Sequence, residues 1–596
     1  MKITTPYGTL MLEANTTIAM TYTNPMFNEQ GSHSLPFSVP WCEHNLEALG
    51  HPEMIHKAGN QPNFINATVE LPELKEDCTI TIGEITKGND IELTILTREG
   101  AFWHYAKSVN MRETIAYKTS IDWYSARSGY VNGAYPNKLF AMFPLVLGKS
   151  NNTGENFFIV NNVYPLTDSQ ASYDVYTNKP ALGGYIYLPF ATELMFRQIG
   201  YRITESVFIT DTELKSAVVL NNYIFEWDNP LFPGVLSYDL SKMLPNCTIA
   251  EFITAVEFEF GVVFDIDYQL GTVCIRKIKE RITNTNFTKI NGEITAVIQE
   301  RKGFELSNST TESPYSLTDK DFLQNNILND IEIVNGGIIA DEPITSGATP
   351  NRTTHPEKYV FCKATQTFFR AEWIYNETNE VWEYIPKSIH SNFSNSDSFN
   401  FDEKSKRESK THSAPMVPNR ISKANGWRPM LFPFYGKTYT PDYLFRSDSA
   451  NLENFIVNDH NTAPISFAFY RGIVRFPLDS AIWGEEYWDL PYGSTDFFVQ
   501  EDGREYGNFN YSLRHNGSKG VVDNWYKEYQ ILIEEIGFRF SLIHCNQHKE
   551  ILKNLTGKFL CEDIPFLIEK MEVTLSHSGV TIESVDCIST KPVLND

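Results

Sequence analysis

One stretch restricts the fold of this chain more than any other: residues 236–279, where Thr248, Ile249, Ala250 and Glu251 open an apolar run. A Thr followed three positions later by Glu forms a capping box, in which hydroxyl and carboxylate each satisfy an amide left bare at a helix start. Ile249, Phe252, Ile253, Val256 and Phe260 then recur on one face at helical spacing. Gly261 can supply the left-handed position that ends a helix. Two strand-like runs, 262–266 and 272–278, follow around a turn at 269–271. The pattern predicts a capped helix leading into a hairpin, a compact α+β module with its own apolar face.

The rest of the chain reads as β structure. Aromatic residues make up 13% of it, which suits pleated, half-buried surfaces, and 30 prolines with 34 glycines imply many turns. Runs at 78–85 and 91–96 around a turn at 87–90 predict a hairpin. Three strands at 359–362, 367–373 and 380–385 predict a meander. Helices are expected at 192–199 and 521–537, and a closing hairpin at 568–588. At 596 residues the chain exceeds one hydrophobic core. The expected division is a β domain with an extended arm at 1–110, a second β domain at 111–235 and the α+β module at 236–300. A β-meander insertion at 301–428, with a polar, mobile segment at 388–425, and a C-terminal β domain at 429–596 complete it.

A net charge of −24 argues against sequence recognition of nucleic acid, since such a surface repels phosphate, and the short basic run at 404–407 reads as a solvated linker. No apolar leader opens the sequence and no window reaches the ~20 apolar residues of a membrane span, so no integral membrane contact is expected. Eight scattered cysteines without a C-x-x-C pair suit a reducing cytoplasm. Phosphate-loop, dinucleotide, nucleophile-elbow and zinc-protease motifs are missing, and no cofactor is expected.

Three constellations carry possible chemistry. His33, His44, His51 and His56 cluster in sequence, but prolines separate them and polar surface is the simpler reading. Glu485, Glu486 and Asp489 lie among aromatic residues, as paired acids of a glycan hydrolase would. Neighbours on a strand face opposite ways, so this is the weaker alternative to a non-enzymatic chain. A third reading is a carbohydrate-binding adhesin using Trp373 and Trp488. Asp265 and Asp267 share one strand face and read as solvated.

Three stretches then take on a family likeness. Asn24, Pro25, Phe27, Gly31, Leu35, Pro36, Phe37 and Pro40, followed by Asn45, Leu49, Gly50 and Pro52, resemble the opening of tail structural proteins of phages and prophages of Bacteroidetes. Asp239, Leu240, Leu244 and Pro245, with the capped helix through Gly261, are similar to an internal piece of those proteins, and 525–588 to their ending. The resemblance implies a tail hub or baseplate hub built on tandem β-barrels, made in the host cytoplasm and resident in the virion tail. It further implies a homo-oligomeric ring, a trimer, joining the tail tube to spike or baseplate proteins. Because a strand bounded by Pro36 and Pro40 suits an edge, the segment through Pro52 is expected to act as an arm that reaches a neighbouring subunit.

Overall fold

The computed structural model describes most of residues 1–300, 331–389, 414–437, 465–495 and 509–590, with shorter gaps inside these spans. The chain is mainly β, built of several sheets that are largely antiparallel. Among the described residues none of these sheets closes into a barrel.

The largest sheet has fourteen strands and is assembled from both ends of the chain. Lys2–Thr5 pairs with Phe64–Glu70, which continues through Lys75–Ile82 to Ile91–Thr97. The expected hairpin is there, with Ile82 opposite Leu93. Next in order come His33–Ser34 and Ile18–Thr23, and the latter pairs with Ile564–Ser576, placing Ile18 opposite Leu575 and Thr23 opposite Lys570. Gly579–Ser589, Gly537–Ile543 and Glu293–Glu300 complete the path. Strands from the first and last spans expected as separate units therefore share one sheet. They also share one core, in which Ile3, Met20, Ile80 and Leu93 pack in the same cluster as Phe566 and Val573.

The capped helix forms as expected. Ile249–Phe260 has both bonds of the capping box, and Gly261 ends it at φ 52°. Val262–Asp267 and Thr272–Lys277 then pair from Val262 opposite Lys277 to Asp267 opposite Thr272. The position of this unit differs from the expected insertion. The helix is buried on every side except around Glu251, and a third strand, Arg202–Ser206, runs parallel to Thr272–Lys277. Phe260 meets the rings of Phe208, Phe467, Phe469 and Trp525, so the module is the middle of the largest core. The physical reason lies on its second face, where Ala250, Ala255 and Phe258 are also apolar and would be left wet in a freestanding unit. Burying one such phenylalanine contributes about 2–3 kcal/mol.

The meander is a five-stranded sheet in which Lys358–Cys362, Thr367–Asn376 and Val381–Ile389 are flanked by Ile331–Val334 and Ile344–Ser346. Of the expected polar segment at 388–425, residues 390–413 fall outside the described ones. Its end is ordered differently from the expectation: Met416–Lys423 is a strand paired with Gly426–Lys437. Cross-strand pairing there outweighs the absence of an apolar period.

One helix stands where β structure was expected, and one expected helix starts irregularly. Arg98–Ser108 follows directly on a strand, with the Thr97 hydroxyl accepting from the Gly100 amide, and buries Phe102, Trp103 and Ala106. The segment at 521–537 begins as a π-turn, Val522–Tyr526, before the helix Lys527–Glu534. Among the described residues no helix is long and apolar enough to cross a membrane.

Candidate functional site

A dense polar constellation joins four distant parts of the chain. Asp211 follows the short helix Val207–Thr210 and caps the next turn, its Oδ1 accepting from the amides of Glu213 and Leu214. Its Oδ2 accepts from Lys277 Nζ at 3.0 Å and from the Tyr511 hydroxyl at 2.6 Å. Lys277 is the last residue of the hairpin strand, and its ammonium also reaches the Tyr511 hydroxyl at 3.1 Å.

Beside this triad, Arg471 sits at a bulge of the strand Phe467–Leu478. Its guanidinium donates to Glu213 Oε1 at 2.5 Å, to the Ser494 hydroxyl at 2.9 Å and to the Tyr511 carbonyl at 3.0 Å. Phe469 and Phe509 lie 4.5 and 4.1 Å from its central carbon, in cation–π range. Glu213 also accepts from the amides of Asn510 and Tyr511.

The electrostatics describe a clamp. Burial pulls the Lys277 amine down, but hydrogen bonds to Tyr511 and Asp211 outweigh this and hold it above its ordinary value. Burial pushes Asp211 up, and the bonds from Tyr511 and Lys277 carry it below the usual carboxylate range. The Tyr511 phenol is raised, first by burial and then by Asp211. An ammonium held protonated offers no lone pair for attack, and a carboxylate held below its ordinary value is a poor proton acceptor at neutral pH. Two cations facing two carboxylates make a balanced junction suited to fixing 211–213, 277, 471 and 511 against one another.

The sequence-derived candidates are not brought together here. Glu485 lies outside the described residues. Glu486 and Asp489 belong to the strand Glu486–Ser494, in register opposite Leu478 and Arg475. Positions an odd number apart on a pleated strand belong to opposite faces, so the strand does not present them as a pair. Asp265 is not solvated as expected: it forms an ion pair with the buried Arg281, whose guanidinium burial lowers to about 10. Asp267 accepts from the Leu270 amide and shapes the hairpin turn. Of the clustered histidines, His44 bonds the Thr9 carbonyl and His51 pairs with Glu53, while His56 lies outside the described residues. Among the described residues no group of three or more His, Cys, Asp or Glu could hold a metal ion.

The expected arm is built into the chain's own sheet. Asn24 is 0% exposed: its amide donates to the Glu569 carbonyl at 3.0 Å and its side chain to the Ile568 carbonyl at 2.8 Å. Phe27 packs half-buried beside Tyr529, and Phe37 is buried in the strand Phe37–Val39. Among the described residues that strand pairs on one side only, with Ile91–Thr97, the edge position its flanking prolines Pro36 and Pro40 suggest. Leu35 is 58% exposed, and Pro25 and Gly31 lie outside the described residues. Asn45, whose side chain bonds Met11 and the Pro40 carbonyl, is a second clamp in this segment. Sequence reasoning missed Asp211, Glu213, Lys277, Arg471 and Tyr511, because residues this far apart leave no local spacing to read.

No protein-family model matches the chain, and no curated protein matches it either.

Proposed function

We propose that the chain is a structural hub of a phage or prophage tail tip, a homo-oligomeric ring, trimeric and based on tandem barrels, that joins the tail tube to spike or baseplate proteins. One observation carries this reading. The three stretches that resemble tail proteins are far apart in sequence, yet they meet in one framework. Asn24 is bonded to Ile568 and Glu569, and the hydroxyl of Tyr526 reaches the end of the capped helix. The meander strands Lys358–Cys362, Thr367–Asn376 and Val381–Ile389, which lie outside the three resembling stretches, belong to a sheet of their own. A saturated polar junction in place of a reactive one supports a structural role. The test is negative-stain microscopy with light scattering on the purified chain. A trimeric ring with a central channel is expected; a monodisperse monomer without a channel overturns the proposal.

A further inference from the structure

Ser32 is a meeting point in the large sheet. Its hydroxyl accepts from the Thr23 amide at 3.2 Å, and its carbonyl accepts from the amide and hydroxyl of Thr97 at 3.2 and 2.9 Å. Its own amide and hydroxyl both donate to Glu99 Oε2, at 3.3 and 2.6 Å. Glu99 stands in the first turn of the helix Arg98–Ser108, and its other oxygen, Oε1, is buried with no hydrogen-bond partner. The fit is close, since a Cβ on the neighbouring Gly100 would press on the Ser32 carbonyl.

The groups around this carboxyl are not arranged to hold a charge. Glu76, on Lys75–Ile82, repels it and is itself bonded by the Tyr22 hydroxyl. Tyr268, at the hairpin turn, faces it as a neutral phenol raised by burial and by Glu99. Arg98 turns its guanidinium to Asp77 and to the Tyr268 carbonyl. Burial raises Glu99 to about 7, against the lowering effect of the Ser32 bonds.

We propose that Glu99 and Ser32 form a proton-operated latch: the neutral carboxyl keeps its seat and pins the chain at Ser32 between Ile18–Thr23 and Ile91–Thr97, and the ionised carboxylate leaves the seat and releases it. A buried carboxylate with one unbonded oxygen costs more than the neutral acid, and the segment it holds is the simplest part to yield.

Amide hydrogen exchange of the full chain between pH 5.5 and 8.5, corrected for intrinsic rates, tests this. In the wild type, protection at Ser32 and Thr97 falls on the order of tenfold and levels off above about pH 7, the span between a free and a raised carboxyl. In Glu99→Gln it stays flat, and His33→Gln, which removes the imidazole beside Ser32, keeps the wild-type profile. Protection independent of pH in the wild type, or an equal fall in Glu99→Gln, overturns the latch. Should Glu99→Gln not fold, Ser32→Ala decides. Losing a donor to the ionised form moves the midpoint to higher pH, and an unmoved or lowered midpoint overturns the proposal.

Discussion

Arg471 and Glu213 pair at 2.5 Å with side chains only 1% and 9% exposed, although 258 positions separate them in sequence. Two charges this well buried are stable only together. Removing one strands the other, at a cost of about 3–5 kcal/mol. Arg471→Met is expected to lower chemical stability by that amount, and Arg471→Met with Glu213→Gln to recover part of it. Denaturant titration of both variants measures the difference.

The triad beside this pair contributes to stability at both ends of the pH profile. Asp211 is held below its ordinary value, so the stability it contributes is present above the unfolded value of about 3.9 and is lost as pH falls through the folded one. Lys277 is held above its ordinary value, so its contribution is present below about 10.4 and is lost as pH rises through the folded one. Melting temperatures should therefore fall less steeply with acid in Asp211→Asn, and less steeply with alkali in Lys277→Met.

The two ends of the capped helix differ in what they tolerate. Thr248→Ala removes one capping bond and costs about 1 kcal/mol. Gly261→Ala places a Cβ in a left-handed residue and against the Cβ of Trp525. Overpacking and backbone strain together should cost about 2–4 kcal/mol. Equal destabilisation of the two variants by denaturant would contradict this ranking.

Tyr526 closes the same helix end from a distance. Its hydroxyl lies 2.9 and 2.8 Å from the carbonyls of Glu257 and Phe258. Tyr526→Phe leaves the ring packed and removes this donor, while the Glu257 carbonyl keeps the Gly261 amide, a loss of about 1 kcal/mol that thermal unfolding would register.

Local rules made the capped helix, its hairpin and the hairpin at 75–97 legible, because a capping box, a terminal glycine and strand alternation act within a dozen residues. The helix Arg98–Ser108 escaped because Phe102 and Trp103 read equally well in a strand, and Gly100 stands where a capping glutamate would. The central position of Ile249–Phe260 was hidden for another reason. Its partners Phe208, Phe467 and Trp525 come from three other regions, and a one-faced apolar stripe does not reveal that the opposite face is covered too. The clamp at Asp211 and Arg471 depends wholly on tertiary contact.

The pairing of Ile18–Thr23 with Ile564–Ser576 sets a timetable for the growing chain. A ribosome adding about 5–20 residues per second completes the second strand roughly half a minute to two minutes after the first. Throughout that wait the early strand offers bare amides and carbonyls to any other chain nearby, a template for mispairing. Yield from rapid, crowded expression should then be limited by this interval, and slower synthesis or a holding chaperone should raise it.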